Sequence, residues 1–170
     1  MKFDLIYKEL HRLQHFEYEI YEGDYDYTPS YLRVIEDAFN ETEEIKFTFN
    51  SLEEDWNVFL FYDFSVFSMQ LLNIYQLCNT NTKEECLLDF YAQGTERKLL
   101  LTKIDNTTIK VENVSGEKWV SPVLYEYLNI IELQKDILHF VHKIKATVEI
   151  VYPELNTLEM LQKWYHSFKE

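Results

Sequence analysis

Residues 86–114 constrain the fold most. Three runs there, 86–92, 97–104 and 108–114, are rich in strand-forming residues and similar in length. The links between them, "QGTE" and "DNT", carry turn chemistry: glycine admits positive φ, and Asp and Asn side chains bond their own backbone. Strands joined this tightly run antiparallel. The segment therefore predicts a three-stranded meander, closed by Gly116 and Pro122.

Elsewhere, apolar spacing assigns the elements. In "FDLIYKELHRLQHF" apolar residues fall at 3, 6, 10, 13 and 16, a helical spacing. From Phe16 the period becomes two, with Phe16, Tyr18 and Ile20 on one side and Glu17 and Glu19 on the other, as in a half-buried strand. "YLRVIEDAF", after Thr28-Pro29-Ser30, suits a short helix. Ile45, Phe47 and Phe49 alternate with polar neighbours and predict a strand, with 50–55 as a hairpin loop. Residues 57–64 are apolar on both faces and read as a covered central strand, followed by a helix from Ser68 to Leu77.

Residues 123–152 carry a broad apolar stripe, with Ser121 as N-cap, Pro122 at the first helical position and Pro153 as the stop. Such a stripe should pack across a sheet. Leu155, Leu158, Leu161, Trp164, Tyr165 and Phe168 give a last amphipathic helix over 154–168. The expected class is α+β: a mostly antiparallel sheet covered by helices, one of them long and C-terminal.

With 46% hydrophobic and 16% aromatic residues, 170 residues can bury a substantial core as one domain, 1–170, without metals or disulfides. Three Gly and three Pro leave little room for linkers. Cys78 and Cys86 lie in apolar sequence without CxxC spacing and read as buried free thiols of a reducing compartment. "MKFDLIYKELHR" places Asp4 and Glu9 where a signal peptide needs an apolar core, and the apolar run 58–67 is short and holds Asp63. The expected location is cytoplasmic, with no membrane partner.

The net charge of −14 is unevenly spread: residues 1–56 carry 15 acids and 5 bases, a net of −10. Such a field repels nucleic acid and anionic lipid and speeds encounter with basic partners. The sequence shows no reaction motif. His11 and His15, and His139 and His142, are paired at helical spacing, but no third or fourth ligand is in view, so neither metal nor cofactor is expected. Ser65 and Ser68 are crowded by Phe64, Val66 and Phe67, where a nucleophile elbow needs small residues. The chain reads as non-enzymatic.

The strongest functional signal is "EYEIYEGDYDYTP", residues 17–29, where acids and tyrosines interleave. Tyrosines supply rigid, amphipathic contact area, and carboxylates around them raise the on-rate for a cation. The expected partner-binding residues are Glu19, Tyr21, Glu22, Asp24, Tyr25, Asp26 and Tyr27, joined by Glu53, Glu54 and Asp55 in the 50–55 loop and by Trp56 beside it. The same pattern is also that of a strand with one wet face.

Low Gly and Pro, the acidic Tyr-rich N-terminal part, and "DFYAQGTERKLLLTKIDNTTIKVENVSGEKW" together resemble the small cytosolic immunity proteins encoded beside bacterial polymorphic toxins, including the LXG toxins of Gram-positive bacteria. The resemblance implies a protein that binds a cognate toxin domain and occludes its active site, the partner here being basic. Two other readings stay open. An acidic mimic of nucleic acid, of the kind phages use against nucleic-acid enzymes, calls for evenly spaced surface acids with few aromatics between them. A small enzyme calls for a pocket of converging histidines and carboxylates.

Overall fold

Phe47 and Phe49 alternate with Lys46, Thr48 and Asn50, and the chain there forms a strand with one apolar face (Lys46–Ser51, β2). The computed structural model describes residues 1–13, 28–80, 84–91, 95–116 and 119–168 and, of residues 12 and 28–30, the backbone alone. Strand β1 (Lys2–Ile6) pairs antiparallel with β2, placing Phe3 opposite Phe49 and Leu5 opposite Phe47. Strand β3 (Glu54–Trp56) completes a three-stranded sheet in the order β1-β2-β3. The predicted helix at the N-terminus is thus replaced by β1 and a 3-10 turn over Leu10–Arg12. Phe3 and Leu5 are buried while Ile6 is half exposed, a period of two that the wider 3, 6, 10 spacing concealed. The strand expected over 16–20 lies outside the described residues.

The second sheet has four antiparallel strands in chain order: β4 (Glu85–Phe90), β5 (Arg97–Lys103), β6 (Thr108–Asn113) and β7 (Tyr125–Asn129). The first three are the predicted meander, and Asp105 accepts hydrogen bonds from the Thr107 N–H and hydroxyl, both 2.7 Å, in the expected turn. Strand β7 corrects the expectation of a helix from residue 123: residues 125–129 are extended and pair with β6. That helix is α3 (Ile130–Val151), and its cap is Asn129, not Ser121. The Asn129 side chain accepts from the Ile131 and Glu132 N–H groups at 3.0 and 3.1 Å, whereas the Ser121 hydroxyl donates to the Val123 carbonyl.

Helix α1 (Thr28–Glu41) covers the predicted short helix. Helix α2 (Leu60–Asn79) overturns the covered strand expected at 57–64. A run apolar on both sides fits either element. The choice is made by Asp63, whose carboxylate reaches back 2.7 Å to the Phe59 N–H while its own N–H donates to the Phe59 carbonyl. The chain ends in a 3-10 turn (Pro153–Thr157) and helix α4 (Glu159–His166), two pieces where one helix was expected.

One hydrophobic cluster draws residues from both sheets and all four helices. Phe67 of α2 is at its centre: its ring lies 4.8 Å from Phe3, 5.5 Å from both Phe47 and Phe49, 5.7 Å from Phe140 and 6.1 Å from Phe90. Cys78 of α2 and Cys86 of β4 are buried in the same cluster. Among the described residues no helix is long and apolar enough to cross a membrane.

Candidate functional site

The acid- and aromatic-rich loop expected at 50–56 is a tight hairpin whose residues part company. Leu52 and Glu53 hold positive φ (55° and 61°) between the paired Ser51 and Glu54, the backbone of a primed turn built without glycine. Glu53 and Asp55 face solvent, Asp55 accepting from the Asn50 side-chain amide at 2.8 Å. Glu54 turns inward: it takes hydrogen bonds from Arg97 and the Trp119 indole, both at 3.0 Å. Trp56 is buried, and with Trp119 it flanks the Arg97 guanidinium at 5.0 and 4.4 Å. Two members of the expected contact surface therefore serve a knot between the sheets. Asp4, another acid of the first third, is held by Lys143 of α3 at 2.9 Å. Glu19, Tyr21, Glu22, Asp24, Tyr25, Asp26 and Tyr27 lie outside the described residues.

A different place gathers aromatics and acid. Glu36 sits on α1 among Leu32, Ile35 and Phe39, all fully buried, so the helix carries its carboxylate onto α2. There it accepts the Ser65 N–H at 2.7 Å and is itself only 5% exposed. Burial pushes its carboxyl from 4.5 up to about 7, against the lowering effect of Ser65, with nearby Asp37 raising it further and Arg33 opposing. No lysine or arginine among the described residues forms an ion pair with it.

Around Glu36 a cleft of about 520 Å³ opens between α1 and the first turns of α2. Its other walls include Arg33, Asp37, Phe61, Tyr62 and, from the end of β4, Tyr91. Phe61, Tyr62 and Tyr91 are 44%, 56% and 58% exposed, and Phe59 just before the helix is 48% exposed. The volume is that of a small-molecule or side-chain pocket. Two residues before Ser65, Asp63 is fully buried; burial raises its carboxyl too, and one of its oxygens has no partner among the described residues. It holds the helix start in place, with Thr95 donating to it at 3.2 Å.

Comparison with protein families, characterised proteins and solved structures gives no match to this chain.

A second groove, of about 640 Å³, runs between the outer face of the first sheet and α3. It joins Asp4, Asp55, Asp136 and His139, but Lys143 and Asn50 already take up the first two. Among the described residues no set of three or more His, Cys, Asp or Glu side chains is placed to hold a metal ion.

Sequence reasoning passed over Glu36, although its signal is present. It lies four residues after Leu32 and three before Phe39, on the apolar stripe of its own helix. Phe61 and Tyr62 carry no such signal, because a run apolar on both faces reads as a covered strand.

Proposed function

We propose that this chain is a non-enzymatic binding protein of the immunity kind, which docks on a basic protein domain, a toxin's active domain, and occludes it. The observation that carries the reading is the set of exposed aromatic side chains at one cleft, Phe61, Tyr62 and Tyr91, over a buried carboxylate. Large rings held in water are costly unless a partner covers them, and buried aromatics dominate binding energy in protein interfaces. The net charge of −14 supports a basic partner, because a field of that size accelerates encounter and selects against acidic proteins.

Occlusion asks for affinity and shape rather than for bond making. Consistent with this, Phe61 and Tyr62 stand on a helix anchored in the central cluster, and Tyr91 follows Phe90 of β4, which is buried in the same cluster.

The test is affinity capture from the native host with the immobilised wild-type chain and with a Phe61→Ala, Tyr62→Ala, Tyr91→Ala triple variant, retained proteins being identified by mass spectrometry. The wild type should retain a basic protein at low salt, the variant should lose it, and expression of that protein alone should arrest growth unless this chain is co-expressed. Equal retention by the variant, or a captured protein whose toxicity this chain leaves untouched, overturns the reading.

A further inference from the structure

We infer that the cleft between α1 and α2 is a receptor for a single guanidinium group, an arginine side chain presented by the partner. The inference rests on the binding-protein reading and names the chemistry of that site.

Three features converge on this ligand. First, the cleft is lined by Glu36, a residue only 5% exposed, and no lysine or arginine of the described part of the chain is ion-paired to it. Ser65 engages this carboxylate through its N–H and its side chain, and since two carboxylate oxygens offer about four acceptor positions, capacity remains for a group entering the cleft that Glu36 lines. Second, the walls are rings. Phe61, Tyr62 and Tyr91 offer π faces and edges on which a flat cation gains attraction, more so once desolvated. Third, arginine meets both demands with one group: its planar fork matches a carboxylate, its face stacks on aromatics, and it sheds water more readily than an ammonium. The molecule already contains this arrangement once. Arg97 packs against Trp56 and Trp119, which meet edge to face, and donates to Glu54, so a guanidinium held by a carboxylate and aromatic rings is a combination the fold already holds.

Proton linkage supplies the signature. In the free protein Glu36 titrates near neutrality, and a bound guanidinium stabilises only its ionised form. Binding below that point must therefore expel a proton. Affinity should fall about tenfold for each pH unit below about 7 and level off above it. The other ionisable groups facing the cleft are Arg33 and Asp37 on α1, Tyr62 on α2 and Tyr91 after β4. Asp63, two residues before Ser65, is a second carboxyl raised by burial, and the Glu36→Gln variant separates its contribution from that of Glu36.

The experiment titrates the whole chain with N-acetyl-arginine methylamide, and in parallel with the citrulline analogue, its neutral isostere, following amide resonances by NMR. The arginine probe should shift the Ser65 amide, with the pH profile above, and the citrulline probe should bind at least tenfold more weakly. Glu36→Gln should abolish the pH dependence. Tyr91→Ala, an exposed change that leaves the core intact, should weaken binding several-fold. Equal binding of the two probes, a silent Ser65 amide, or a Glu36→Gln variant that binds like wild type overturns the inference. If the aromatic triple variant still loses a captured partner while the arginine probe fails, the inference falls and the binding reading stands. If the probe binds and no basic protein is ever captured, the binding reading falls and the cleft remains a guanidinium site.

Discussion

Glu36 concentrates the tension of this fold in one side chain. A carboxylate on a helix face shared with Leu32, Ile35 and Phe39 has lost most of its hydration, and Ser65 returns only part of it. The consequence for stability has a definite sign. Because the carboxyl is raised from 4.5 to about 7, the folded chain holds a proton that the unfolded chain has released, and stability falls as pH climbs through that interval. The stabilisation is complete below about 4.5 and gone above about 7. At 1.36 kcal/mol per unit this side chain alone costs about 3 kcal/mol at neutral and alkaline pH. Glu36→Gln keeps the shape and removes the charge. Relative to wild type it should gain about 3 kcal/mol on going from about pH 4 to about pH 8, read as a difference in urea midpoints. A constant difference across that range would mean the carboxylate is better solvated than its surroundings imply. A residue kept at such a cost is what a binding or catalytic site looks like.

At the level of elements, ends and starts carry the information. Asn129 closes β7 opposite Thr108 and opens α3 by accepting from two N–H groups, so one side chain marks the switch from period two to period 3.6. Asn129→Ala should cost about 1 kcal/mol, and Asn129→Asp should recover it, since an anion also suits a helix start. Denaturant midpoints with unchanged slope would register both. How far these elements were legible depended on whether alternation was local. The meander 86–114 was plain because each strand alternates within itself and short turns join the three. Residues 125–129 were misread because Leu124 and Leu128 continue the helical stripe backwards by chance; Leu124 is in fact 82% exposed. Residues 57–64 were misread because Phe59, Phe61 and Tyr62 look like core when side chains have no address. Only the Asp63 reach-back to Phe59, a contact between side chain and backbone, shows that the helix has begun. The cleft was hidden for the same reason: it needs α1 and α2 side by side, and spacing within one helix says nothing of its neighbour.

Across the whole molecule the two sheets have separate backbone ladders and are joined through side chains. Several joints among the described residues hold them, three of which differ in kind. The Arg97 knot connects β5 with β3, the Ser51 hydroxyl donates to Glu126 of β7 at 2.6 Å, and Phe67 meets rings from both sheets and from α3. The first two are partly wet and contribute modestly, whereas a fully buried ring in contact with five others is central to the packing. Phe67→Ala should therefore cost about 3–5 kcal/mol, most of it from the cavity that its neighbours cannot close. The distribution of the damage is more telling than its size. If the ring couples the sheets, amide exchange in β2 and in β5 should accelerate together and by the same factor, both sheets opening in one cooperative step. If β2 loses protection while β5 keeps it, the four-stranded sheet stands on its own strands. Tyr91, which follows β4, would then keep its place at the cleft while β2 opens, and guanidinium binding would outlast the smaller sheet.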